Sequence, residues 1–198
     1  MQRMQVNRST GRLEGASYLA SPNCNARPAG CEPELVVIHG ISVPAGHFGD
    51  GHVEGLFTNE LDTDSDERLA HLSGVQVSAH LLIHRDGHIT QFVPFNQRAW
   101  HAGESSFNQR ANCNDFSIGI ELEGTDMTTY AGVQYDVLEP VLRALREAYP
   151  EIGDDRVVGH CHIAPGRKSD PGPRFDWGRL QRSLGILQPV TQPRVSTR

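Results

Sequence analysis

Apolar positions along the chain recur first at strand spacing and later at helix spacing. Residues 34–39, Glu34 to His39, form a short β-branched run that predicts a strand buried on both faces. Residues 78–84 and 88–93 are apolar-rich and flank Arg85, Asp86 and Gly87, and an Asp-Gly pair in that setting predicts a hairpin. Residues 116–123 alternate strictly, with Phe116, Ile118, Ile120 and Leu122 on one side and Ser117, Gly119, Glu121 and Glu123 on the other. Gly119 would let something approach that strand's backbone closely. Val133, Val137, Leu138, Val141, Leu142, Leu145 and Tyr149 recur at helical spacing, which predicts an amphipathic helix covering the sheet. Pro140 lies inside it and predicts a kink or a break near Glu139. A short helix at 53–61, a strand at 156–160 and a last helix at 175–184 complete the pattern.

A hairpin together with strand–helix–strand stretches implies an α/β fold, a single domain with a mixed central β-sheet flanked by helices. Residues 1–33 read as an N-terminal arm packed on the domain, 34–185 as the domain, and 186–198 as a flexible tail. At 198 residues the chain is long enough for one sizeable core.

Composition narrows the function. Eighteen basic against 24 acidic residues give a net charge of −6, and no basic run exceeds two residues, which excludes a nucleic-acid footprint. No apolar run approaches the roughly 18 residues of a membrane span. Residues 1–30 contain no apolar core of a secretory signal, so a cytoplasmic protein is expected. Cys24, Cys31, Cys113 and Cys161 show no C-x-x-C spacing and are expected as free thiols. The acidic stretch 62–67 lacks calcium-loop spacing and reads as a solvated turn leading into a helix.

Candidate chemistry gathers around 159–173, a stretch expected to be too rich in glycine and proline for a helix or a central strand. It carries His160, Lys168 and Asp170, and its prolines stiffen it. His39 closes a buried strand, a place where open α/β sheets hold ligand groups. Two imidazoles and one carboxylate from His39, His160 and Asp170 suit Zn²⁺ and leave a coordination position open, as catalytic zinc requires. Glu121 would lie beside the His39 strand and could move a proton from water to a leaving nitrogen. Lys168 offers a positive charge to an oxyanion. Together these five residues describe metal-assisted amide hydrolysis. His162 could replace His160 as ligand, although Gly159 favours His160 by permitting close packing. Cys113 with His101 as a thiol pair lacks an orienting partner. His47, His52, His71, His80, His84 and His88 read as packing or surface residues.

Longer motifs carry a resemblance. Val77 to His80, Arg98 to Gly103, Cys113 to Gly124 and Gly159 to Pro173 together resemble the zinc-dependent N-acetylmuramoyl-L-alanine amidases, nearest to cytoplasmic members that act on anhydro-muropeptides in cell-wall recycling. The resemblance covers about residues 35–177. It implies a fold shared with peptidoglycan recognition proteins and zinc on His39, His160 and Asp170. It also implies Glu121 as general base, Lys168 as transition-state stabiliser, and Trp100 and His101 lining the sugar side. The implied partner is a small muropeptide cut between its lactyl carbonyl and L-alanine; separately, a monomer is expected. A non-catalytic binding module of the same fold can lack a zinc ligand, whereas all three are present here. An exported amidase acting on intact wall is disfavoured by the missing signal. The comparable family member carries Asn in place of Gly40 and Arg in place of Gln76 and Asn112, at positions that would contact substrate. Arg110 is a candidate substitute for one of those arginines.

Overall fold

The computed structural model describes residues 4–186, and six strands build its central sheet: β1 Ser17–Tyr18, β2 Leu35–Ile41, β3 Leu81–Ile83, β4 Ile89–Gln91, β5 Ser117–Glu123 and β6 Val157–Gly159. Their order is β6-β2-β5-β3-β4-β1. The hairpin forms at Asp86-Gly87 and pairs β3 with β4 antiparallel, whereas β2 runs parallel to both β5 and β6. The sheet is therefore mixed. Because β2 and β5 lie centrally and are covered on both sides, all seven residues of β5 are buried, including the polar set.

Period-two geometry sends alternate residues of β2 and β5 to opposite faces. Val36, Ile38, Ile118, Ile120 and Leu122 pack on one face with Tyr135, Leu138, Val141, Leu142 and Leu145 of a long helix. Each such fully buried leucine stabilises the fold by about 1.5–3 kcal/mol. The opposite face receives His39 and Glu121, which are direct register partners across the parallel pair.

Four helices follow the chain order: α1 His52–Thr58, α2 Gly132–Ala148, α3 His160–Ile163 and α4 Trp177–Ser183. Two of them correct the sequence reading. Helix α2 runs through Pro140 without a break. The proline removes the bond to the carbonyl of Asp136, and Asp136 is exposed, so water can satisfy that oxygen. Val133, expected on the apolar face, is 39% exposed at the helix start. Helix α3 occupies residues expected to be non-helical. Its single turn is held at the start by Gly159 N–H donating to His162 Nδ1 (2.8 Å), and at the end by Ala164 N–H donating to the His160 carbonyl (3.0 Å). The glycines and prolines lie outside this turn rather than in it.

The segment before β2 is more structured than its weak periodicity suggests. It contributes β1 to the sheet edge, and Cys24–Ala26 pairs antiparallel with Gln97–Ala99. From that pair, half-buried Arg27 donates to the carbonyls of Phe95, Asn114, Asp115 and Ser117 at 2.8–3.2 Å. Burial lowers its pKa to about 10. Strands of two or three residues are too short to show a period, so no sequence pattern announces them. The tail expected at 186–198 lies, beyond Ile186, outside the described residues. No helix among the described residues is long and apolar enough to cross a membrane.

Candidate metal centre

Three elements converge at the carboxyl ends of the parallel strands. Strand β2 delivers His39, the start of α3 delivers His160, and the following loop returns Asp170, whose backbone carbonyl accepts from Cys161 N–H at 3.0 Å. His39 Nδ1 lies 3.0 Å from His160 Nδ1, and each is 3.1 Å from Asp170 Oδ2. Ligands held about 2.0–2.1 Å from a tetrahedral ion lie roughly 3.3 Å from one another, so this donor set fits a zinc-sized ion. These residues form the one group of His, Cys, Asp or Glu able to hold a metal among the described residues. The sequence alternative, His162, spends its Nδ1 on Gly159 N–H instead. Gly159 itself has no room for a side chain, since a Cβ there would sit 2.8 Å from Pro171 Cδ.

Electrostatics follow from the burial. Burial lowers the His39 pKa to about 4 despite the neighbouring Asp170 carboxylate, so His39 stays neutral, the form a metal needs. Burial works against the Asp170 carboxylate, yet contacts with His160 and His39 hold it well below the usual range. Glu121 is shifted the other way. Burial first, then the charge of Asp170, raises its pKa well above the ordinary value, with Lys168 opposing. Its Oε1 lies 3.9 Å from His39 Nδ1, and its buried Oε2 has no hydrogen-bond partner among the described residues. An orphaned buried carboxylate oxygen at a metal site calls for a water or substrate proton. Lys168 is exposed on the loop before Asp170, and its charge reaches both His39 and Glu121.

Tyr130, which sequence reasoning passed over, fills space beside this cluster. Its hydroxyl donates to the Pro171 carbonyl at 2.9 Å, immediately after Asp170. Burial, then the nearby Glu121 and Asp170 carboxylates, pushes its pKa up and keeps it a donor. A Cβ on Gly40 would clash with that hydroxyl, which accounts for glycine after the first ligand in this chain. Gly40→Ala is expected to cost about 1–3 kcal/mol of stability by overpacking. Adding Tyr130→Phe should recover much of that loss, because the next nearest atom, Tyr130 Cζ, lies 3.3 Å away. Urea titrations of both single variants and the double variant measure the coupling, and additive losses would contradict it.

Other expected residues are placed as follows. Trp100 Nε1–H donates to Asn25 Oδ1 at 2.8 Å. His101 Nδ1 stands 2.9 Å from His39 Nε2. Arg110, offered as a substitute for a missing arginine, is ion-paired with Glu34 and stacked on Phe116. Gln76 is exposed at a cavity of about 240 Å³ lined also by Leu56, Leu61 and Leu72. His80, expected to be a packing residue, is fully buried, and its Nδ1 accepts from Gly119 N–H at 3.0 Å. Cys24, Cys31, Cys113 and Cys161 are free thiols.

Comparison with known proteins adds four findings. Residues 29–173 match a family described as N-acetylmuramoyl-L-alanine amidase. The chain is 50% identical over 171 residues to 1,6-anhydro-N-acetylmuramyl-L-alanine amidase AmpD of Escherichia coli (strain K12), across 86% of this chain and 93% of that one. Among solved structures it resembles the crystal structure of a selenomethionine AmpD derivative, with a TM-score of 0.88, 48% identity, and coverage of 91% of this chain and 99% of that one. It also resembles AmpDh3 from Pseudomonas aeruginosa solved in complex with anhydromuramic pentapeptide, with a TM-score of 0.59, 30% identity, and coverage of 80% and 62%.

Proposed function

The chain belongs to the N-acetylmuramoyl-L-alanine amidase family, and from that premise we propose that it cleaves the amide joining anhydro-N-acetylmuramic acid to L-alanine in muropeptides. The observation that carries the reading is the convergence of His39 Nδ1, His160 Nδ1 and Asp170 Oδ2 beside a buried carboxylate with an unpartnered oxygen. Those three residues would hold Zn²⁺. Bound there, the ion supplies Lewis acidity, which makes an amide carbonyl more electrophilic and water more acidic near neutral pH.

The chain's own residues then account for the proton. Glu121 accepts it from the attacking water as the new C–O bond forms at the lactyl carbonyl. As the C–N bond breaks, Glu121 passes the proton to the departing alanine nitrogen. Burial and the charge of Asp170 raise the Glu121 pKa in the metal-free chain, and a cation held beside it would oppose that shift and favour the carboxylate that takes the proton. Lys168 adds positive charge where the carbonyl oxygen becomes negative. By resemblance to the family, we read Trp100 and His101 as lining the sugar side. The substrate class fits a cytoplasmic place in peptidoglycan recycling, with the chain acting as a monomer.

The test compares anhydro-muropeptide with intact peptidoglycan, each with Zn²⁺ and after chelation. Release of L-alanyl peptide from the small substrate alone, lost on chelation and restored by Zn²⁺, is the expected result. Full turnover by the metal-free chain would overturn the metal assignment. Equal turnover of intact wall would overturn the recycling assignment.

A further inference from the structure

Both candidate ligand histidines face the cluster through Nδ1, so each must carry its proton on Nε2 to leave the Nδ1 lone pair free. For His160 the reason is direct. Its Nε2 lies 3.1 Å from the Ala102 carbonyl, a group that can only accept. For His39 the neighbour of Nε2 is another imidazole, His101 Nδ1, at 2.9 Å. An imidazole can donate or accept, so this contact alone leaves the direction open.

The direction is set further back. Ser117 Oγ lies 2.6 Å from the Cys113 carbonyl, so the hydroxyl proton of Ser117 is committed to that oxygen. Ser117 Oγ then has only lone pairs to offer His101 Nε2, 3.2 Å away. His101 must therefore be protonated on Nε2 and bare on Nδ1. A bare Nδ1 accepts from His39 Nε2–H, and His39 Nδ1 is left free to bind. The Cys113 carbonyl at one end of this chain thus opposes Asp170 Oδ2 at the other, which lies 3.1 Å from His39 Nδ1 and by itself would draw the proton to that nitrogen.

The His101 ring is also fixed in place. A Cβ on Gly119 would come within 2.5–2.7 Å of three of its ring atoms, so the ring lies directly on the β5 backbone. The backbone N–H of His101 donates to Asn114 Oδ1 at 3.1 Å. The His39 and His101 rings meet at 88°, with a centroid distance of 5.0 Å.

We propose that His101 and Ser117 are positioning residues for the metal centre: ending on the Cys113 carbonyl, they lock His39 in the Nε2–H tautomer that presents Nδ1 to the ion. This goes beyond the sugar-side role that family likeness assigns to His101, and it rests on the metal reading of His39. Such outer partners of ligand histidines are typically worth about 10–100-fold in metal affinity.

The test uses the full chain and its His101→Leu, His101→Asn and Ser117→Ala variants. Leucine fills the ring's space without an acceptor, whereas asparagine can return an oxygen near the Nδ1 position. Nitrogen-15 spectra of the histidine rings, recorded on metal-free protein at neutral pH, report the tautomer without any activity measurement. The expected result is Nε2–H for His39 in the parent and in His101→Asn, and a mixed population in His101→Leu and Ser117→Ala. Zinc affinity from chelator competition should fall about 10–100-fold in His101→Leu and recover in part in His101→Asn. Unchanged zinc affinity and tautomer in His101→Leu would overturn the proposal, as would a loss confined to KM for the muropeptide. If the parent binds no zinc, the metal reading fails, while the ring spectra still decide whether His101 sets the tautomer.

Discussion

Glu121→Gln is expected to lower kcat by about 10²–10⁴-fold while leaving the metal in place, the range that one positioned acid–base group contributes. Glutamine matches glutamate in shape but cannot take a proton from water. Glu121 contributes no atom to the three-residue cluster, so metal content should match the parent's. Folding should not suffer either, because glutamine keeps the shape of the side chain and removes a buried carboxyl charge. Turnover per bound metal, measured alongside urea stability, separates these effects. Normal turnover would shift the role to Glu123, the other carboxylate on this face of β5. Glu123 is already committed. Its oxygens accept from Gly49 N–H at 2.8 Å and Arg85 N–H at 3.0 Å, and His84 stands 3.6 Å away. A carboxylate tied to two backbone donors holds loops together and is poorly placed to carry a proton.

Asp170→Ala should abolish both turnover and tight metal binding, the largest effect expected of any single substitution here. Asp170 brings the only negative charge to the cluster, and its Oδ2 is the atom both imidazoles share. Two imidazoles remain afterwards, one ligand short of a catalytic zinc site. Asp170→Asn keeps the shape without the charge and should fall between alanine and the parent. Chelator competition for all three proteins orders the affinities. Parent-like zinc binding by Asp170→Ala would remove Asp170 from the ligand set and the metal assignment with it.

The parts of this fold that could be read in the sequence are those decided locally. Asp86-Gly87 declares its hairpin because turn chemistry needs only neighbouring residues. The alternation of β5 separates Ile118, Ile120 and Leu122 from Ser117, Gly119 and Glu121, and the structure keeps that division. The juxtaposition of His39 and Glu121 was legible one step further on, since two central parallel strands in one sheet tend to be adjacent. What escaped depends on distant partners. The α3 turn forms because His162 reaches back to Gly159 and Asp170 receives Cys161, neither of which the density of glycine and proline reveals. Tyr130 matters through Gly40 and Pro171, and His101 through Ser117, residues separated in the chain and joined only by folding. Pro140 does not break α2, and the carbonyl it leaves without its helical partner belongs to the exposed residue Asp136.

Arg27 gives the family match a sharper edge. The family match begins at residue 29, just past this side chain, and contains every proposed ligand and the proposed base. Excised at that boundary, it would keep its chemistry on paper and lose the guanidinium that gathers the carbonyls of Phe95, Asn114, Asp115 and Ser117. One of those belongs to Ser117, the residue behind His101 and His39. The border of the family match and the border of what holds the site in place thus differ, and residues 29–173 borrow part of their rigidity from the segment before them.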